Sequence, residues 1–181
     1  MALTSTMYAM QVSLAHVDRG VYESLDFRMA MHPSESPEYF VARLLAYCLE
    51  YAEGIGFSKG VSDPDDPTLS VRDLTGTITS WIEIGLPDAA RLHKASKAAP
   101  RVAVYTHKDP TVWQRQIAGE RIHKVDRIEC YVLDRELVDA LVERLDRRMT
   151  FQLSVTEGEL FLDLGKTTLT GSVQRVPLGA P

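Results

Sequence analysis

The sequence predicts a mixed α/β (α+β) fold, one domain over residues 1–181 with a mixed central β-sheet flanked by helices. Three observations carry this. Apolar residues alternate with polar ones at both chain ends, which marks antiparallel strands with one buried face. Apolar stripes at helical spacing lie between those ends. One short unbroken apolar run, RVAVYT (101–106), has the character of a central parallel strand.

Element by element, Tyr8, Met10, Val12 and Leu14 alternate, the tripeptide Asp18-Arg19-Gly20 supplies a turn, and Leu25, Phe27, Met29 and Met31 alternate again. That is the pattern of an antiparallel hairpin. After HPSESP (32–37), Ser36 and Pro37 read as a helix N-cap and first helical residue. The helix of about four turns that follows places Val41, Leu44, Leu45, Cys48 and Ala52 on one stripe. Glu38 lies at the edge of that stripe and Glu50 opposite it, so Glu38 is the acid expected to look inward. The loop GVSDPDDP (60–67) precedes a strand near 69–74 and then the strand ITSWIEIG. Pro87 and Asp88 open a helix to about Ala99. Beyond RVAVYT come a helix over Val112 to Ile122, a strand over Ile128 to Leu133, and a helix over Glu136 to Arg147. A final hairpin turns at Glu157-Gly158.

Composition limits the function classes. With 45% hydrophobic and 25% charged residues, the chain is of ordinary globular type. The opening MALTSTMYAMQVSLAH has neither a basic n-region nor a continuous apolar core, and no later segment reaches the length of a membrane span. A cytoplasmic protein with no membrane partner is the expectation. Cys48 and Cys130 lie far apart in apolar-periodic segments and read as buried thiols. A net charge of −5 argues against broad non-specific binding to nucleic acid while leaving room for a locally basic cleft. No aromatic-and-basic stripe is visible along the chain.

The chemistry-bearing signal is WIEIGLPD (81–88), which sets Glu83 in an apolar strand. A buried carboxylate there costs several kcal/mol unless a cation or metal compensates it. By period two Glu83 shares a face with Trp81 and Gly85. Glu38, the cluster Asp63, Asp65 and Asp66, and the basic segment RLHKASK (91–97) are the other candidates. Singly, each has an ordinary role: a dipole partner, a solvated turn, the wet face of a helix. Together, converging carboxylates form an oxygen-only site suited to Mg²⁺ or Mn²⁺.

The segments HPSE (32–35), RLLAY (43–47), WIEIGLPD (81–88) and RLHKAS (91–96), in this order and spacing, resemble those of the YaeQ family over essentially the whole chain. YaeQ proteins in turn resemble the PD-(D/E)XK, restriction endonuclease-like superfamily, whose core order is helix, three strands, helix, strand. The resemblance implies a divalent-metal-dependent phosphodiesterase or nuclease acting on nucleic acid or another phosphodiester. It makes Glu38 the helix acid, Asp66 the counterpart of the PD aspartate, with Asp73 competing, and Glu83 the acid of the (D/E)XK strand. These three would be the metal ligands. At the lysine position the strand reads Gly85, so the lysine would come from the next helix as Lys94, with Lys97 nearer the flank of the packed stripe. Only two strands are readable between the first two helices, unless the stretch around Phe57 or one of the N-terminal strands serves as the third. The alternative is a binding or regulatory protein that keeps the fold around a vestigial acidic pocket. Glu83→Gln separates the roles: a metal ligand held near two other carboxylates predicts unchanged or raised metal-free stability, a buried ion pair predicts a loss.

Overall fold

The computed structural model describes residues 3–58 and 65–178. In chain order it runs β1 (Thr6–His16), β2 (Val21–Met31), α1 (Pro37–Leu49), β3 (Ile55–Phe57), β4 (Leu69–Arg72), β5 (Ile78–Ile84), α2 (Ala89–Ala98) and β6 (Arg101–Thr106). It continues with α3 (Thr111–Ala118), β7 (Glu129–Leu133), α4 (Arg135–Val142), β8 (Arg148–Thr156), β9 (Glu159–Asp163) and β10 (Thr168–Val176). The fold is mixed α+β. Among the described residues no helix is long and apolar enough to cross a membrane.

The chain forms two compact units, one from residues 1–49 and 133–173, the other from 50–132 and 174–181. In the first, β1 is central: it pairs antiparallel with β2 and parallel with β8, and β8, β9 and β10 continue as antiparallel neighbours. Met10, Val12 and Leu14 of β1 are buried while Gln11 and Ser13 are exposed, as the alternation requires. Helix α1 packs against α4. Its N-cap is Ser36, whose Oγ accepts from the Tyr39 amide at 3.1 Å. Ser36→Ala should cost about 1 kcal/mol, read as a lowered urea midpoint with an unchanged m-value. The one-sided stripe expected of α1 is overturned, since every residue from Phe40 to Leu49 is buried. Both thiols, Cys48 and Cys130, are free and buried, and burial pushes each up to about 12.

The second unit holds β7, β6, β5, β4 and β3 in that spatial order, with β5, β6 and β7 parallel and β3, β4 and β5 antiparallel. The third strand between the first two helices is therefore β3, the stretch ending at Phe57. At three residues it is too short for periodicity to find. Helices α3 and α4 end earlier than their apolar spacing suggests, at Ala118 and Val142. In the sequence after α3, Gly119 ends the helical run before a 3₁₀ turn at 125–127.

Candidate functional site

The strand glutamate is buried, and the structure shows how its charge is compensated. Trp81 and Glu83 point to the face of β5 on which α2 lies, where Trp81 packs with Leu92 and Ala95. Glu83 is 4% exposed. Its Oε1 accepts from the Trp81 indole N–H at 2.6 Å and from Arg91 Nε at 3.0 Å, and Arg91 Nη2 lies 2.8 Å away. Its Oε2 takes a longer bond of 3.3 Å from the Thr68 hydroxyl. Asp88 caps α2 by accepting from the Arg91 amide at 2.8 Å, which fixes Arg91 in the first turn, and its guanidinium also stacks 5.6 Å from the Trp81 ring.

Arg91 joins two of the candidate acids. Its Nη2 donates to the Asp66 main-chain carbonyl at 2.7 Å while the same guanidinium holds Glu83. The Asp66 carboxylate pairs with Arg72 at 3.1 Å. Lys94 is exposed and reaches the acidic loop one residue earlier, bonding Asp65, whose carboxyl that hydrogen bond holds below the usual range. The basic residue that meets the strand glutamate is thus Arg91, where Lys94 was the expected one. One helical turn separates the two: Arg91 reaches Glu83 on β5 and the Asp66 carbonyl, and Lys94 reaches Asp65. Lys97 is exposed in the last turn. Asp73 is engaged in its own turn, its Oδ1 accepting from the Thr75 and Thr77 amides and the Thr75 hydroxyl. Asp63 lies outside the described residues. Glu38 belongs to the other compact unit, half-buried in the first turn of α1. Nearby, Glu35 of HPSE receives Arg43 of RLLAY through two bonds, at 2.7 and 2.9 Å.

Among the described residues no three His, Cys, Asp or Glu side chains gather closely enough to cage a metal ion. Mg²⁺ asks for less than a cage: one or two carboxylates, waters and the phosphate of a substrate. Around Arg91 the oxygens brought together are the Glu83 carboxylate and the Asp66 main-chain carbonyl, while the Asp66 carboxylate is held by Arg72.

A second polar cluster went unread in the sequence. Glu50 stands just past the end of α1, is 5% exposed, and accepts from Arg101 through both oxygens, at 2.5 and 3.1 Å, and from the Tyr105 hydroxyl at 2.6 Å. The expectation that it faces outward fails because the helix stops at Leu49, so helical phase does not govern its direction. Arg101 also donates to Glu129 at 2.6 Å, Glu129 accepts from Tyr131 at 2.7 Å, and the two tyrosine rings stack at 4.9 Å. Burial and the hydrogen bond to Glu129 push the Tyr131 hydroxyl up to about 12, and burial beside Glu50 drives Tyr105 well above its usual value. Period two in RVAVYT could have paired Arg101 with Tyr105, but nothing local pointed to Glu50 or Glu129.

The family described as YaeQ protein matches residues 1–173. An uncharacterized YaeQ protein of Escherichia coli strain K12 is 33% identical over 172 residues, 93% of this chain and 94% of the relative. The crystal structure of a YaeQ protein from Pseudomonas syringae aligns with a TM-score of 0.84 at 30% identity, over 95% of this chain and 96% of that one. That of a YaeQ protein from Xanthomonas axonopodis pv. citri aligns with a TM-score of 0.87 at 28% identity, over 97% and 99%.

Proposed function

The chain belongs to the YaeQ family, and from that premise we propose that it is a divalent-metal-dependent phosphodiesterase of the PD-(D/E)XK type in which Arg91 stands in for the missing strand lysine. The observation that carries this is the single guanidinium shared by buried Glu83 and the Asp66 carbonyl. It supplies the cation that the strand lacks at Gly85. The run α1, β3, β4, β5, α2, β6, in the order helix, three strands, helix, strand, supports the reading.

In this mechanism Glu83 and Asp66 would hold the Mg²⁺ or Mn²⁺. The metal supplies Lewis-acid polarisation of a phosphoryl oxygen and a more acidic water. Arg91 is charged at every working pH, so it gives no proton; its fork turns from Glu83 to the non-bridging oxygens, where charge develops in the transition state. Lys94, held at Asp65, adds a second cation beside the loop. Trp81 keeps the Glu83 carboxylate oriented through its N–H. Glu38, in the other unit, is the third acid the family resemblance implies.

One observation favours the alternative of a non-catalytic protein: Arg91 and Trp81 already compensate Glu83 without a metal. Titration calorimetry with Mn²⁺, a Mn²⁺-dependent rise in melting temperature, and cleavage of a labelled oligonucleotide separate the two. We expect binding in the micromolar to millimolar range, lost together with cleavage in Glu83→Gln and Asp66→Asn. No heat and no thermal shift at millimolar Mn²⁺ would establish the non-catalytic reading. Glu38→Gln, run in the same assay, tests the third acid.

A further inference from the structure

Strand β2 is the last in the strand order, and among the described residues no strand pairs with its outer side. It is 11 residues long, contains no proline and keeps an unbroken register with β1. The strand at the opposite end of that order, β3, is blunted by its length of 3 residues. Which backbone groups of β2 look outward follows from β1. The Ala9 amide donates to the Arg147 carbonyl at 2.7 Å, so odd-numbered residues of β1 bond toward β8 and even-numbered ones toward β2. Through pairs such as Tyr8 with Met29, the odd-numbered residues of β2 are spent on β1. The amides and carbonyls of Tyr22, Ser24, Asp26 and Arg28 therefore point to the open side. The Ala30 carbonyl points the same way and accepts from Arg43 Nη2 at 2.8 Å, which leaves it a second lone pair.

Side chains divide by the same parity. Asp26 and Arg28 are exposed on the outer face, and the side chain of neither makes a hydrogen bond or ion pair with another described residue. Leu25 and Met29 are buried on the other face, where the Phe27 ring lies 4.2 Å from that of Tyr47. Arg28 is the one cation of β2, so a strand that answers both outer charges must set an acid against position 28 and a base against position 26. A second copy of β2 does this. A two-fold axis at Phe27 opposes Asp26 to Arg28 of the second copy, and Arg28 to its Asp26. The same register keeps like faces together, Leu25 meeting Met29 and Phe27 meeting Phe27. A shift by one residue sets apolar side chains against charged ones. An axis at Asp26 opposes two carboxylates, one at Arg28 opposes two guanidiniums, and one at Leu25 gives the charges only Ser24 and Tyr22.

From this we infer that β2 is a dimer interface, at which two copies of this chain pair antiparallel, edge to edge, about a two-fold axis at Phe27. The free backbone groups supply the attraction and the charges select the partner. An uncharged strand, or one of a single sign, leaves a carboxylate or a guanidinium of this edge unanswered; the edge answers itself. A single strand edge is a small contact, so the dimer should be weak, and salt should weaken it further. Pairing at β2 requires neither Glu83 nor a metal, so it stands apart from the proposed hydrolysis.

The test is sedimentation velocity of the full chain in EDTA at low salt, from about 5 to about 500 μM. Wild type should pass from monomer toward dimer across that range. Arg28→Asp opposes carboxylate to carboxylate across the axis and Asp26→Arg opposes guanidinium to guanidinium, so each alone should weaken association about tenfold. The exchanged variant Asp26→Arg/Arg28→Asp should recover it. An equal mixture of the two single variants should associate at least as well as wild type, because the acidic edge of one then faces the basic edge of the other. Both positions are exposed, so melting curves like that of wild type exclude unfolding as the cause. A monomer at every concentration, wild-type association in both single variants, or a mixture that associates no better than its parts would overturn the inference.

Discussion

Replacing Arg91 by alanine should lower stability by about 3 kcal/mol, more than replacing its partner. The asymmetry follows from exposure. The Glu83 side chain is 6% exposed and that of Arg91 23%. Without Arg91 the carboxylate stays buried with the Trp81 N–H and the Thr68 hydroxyl as donors and no counter-charge. Without the Glu83 charge, Arg91 keeps the Asp66 carbonyl and part of its hydration, so Glu83→Gln should cost about 1–2 kcal/mol. Combining the two should cost no more than Glu83→Gln plus a small packing loss, a positive coupling that urea melts of the four proteins in EDTA would measure. Arg91→Lys should recover only part of the loss, since an ammonium cannot bond Glu83 and Asp66 in one plane. Equal melts for wild type and Arg91→Ala would mean that the ion pair contributes nothing. Because the pair exists without metal, a loss in metal-free Glu83→Gln no longer excludes a ligand role. The Mn²⁺-dependent shift carries that question.

Arg101→Leu should have the largest effect, about 3–5 kcal/mol against a total of about 5–15 for a domain. It leaves two carboxylates, Glu50 and Glu129, that had shared one guanidinium, with side chains only 6% and 19% exposed. Tyr105→Phe should cost less, about 1 kcal/mol for one hydrogen bond. The network also sets a pH dependence. Burial works to raise the Glu129 carboxyl, but the hydrogen bonds from Tyr131 and Arg101 and the Arg101 charge outweigh it and hold it below the usual range. A depressed carboxyl contributes stability that is fully present above its unfolded value, about 4.3, and is lost as pH falls through the folded one. Wild type should therefore lose stability on acidification below pH about 4, and Arg101→Leu should lose less there, so the gap between them narrows. A constant gap from pH 7 to pH 3 would contradict the assigned pairing.

What could be read from the sequence was what repeats locally. The β1 and β2 hairpin, the RVAVYT strand and the capped start of α2 follow from alternation and from Ser, Pro and Asp at the right offsets. Glu83 was legible because a charge in an apolar strand demands a partner. Its partner was not: Arg91 and Lys94 sit one turn apart in RLHKAS, and helical phase gives a direction without saying what lies there. Glu50 was misread for a related reason, since a phase argument fails once the helix has ended.

The parallel pairing of β1 with β8 joins Ala9 to Arg148. During synthesis at about 5–20 residues per second, the first strand waits roughly 7–28 s for its neighbour to leave the ribosome. In that interval the β1 edge of the hairpin, which β8 later covers, stays open, with Met10, Val12 and Leu14 on its apolar side. An exposed edge of that kind is a template for pairing with another nascent chain. The strands of the second unit, β3 to β7, by contrast come from one continuous stretch and can assemble while the first unit is incomplete. The long closure slows folding of the first unit, since non-local pairing costs loop entropy before any contact is gained. Dilution, or a holdase that covers the β1 edge, should therefore raise the refolding yield of this chain, and pulse-labelled hydrogen exchange should protect β5 and β6 before β1.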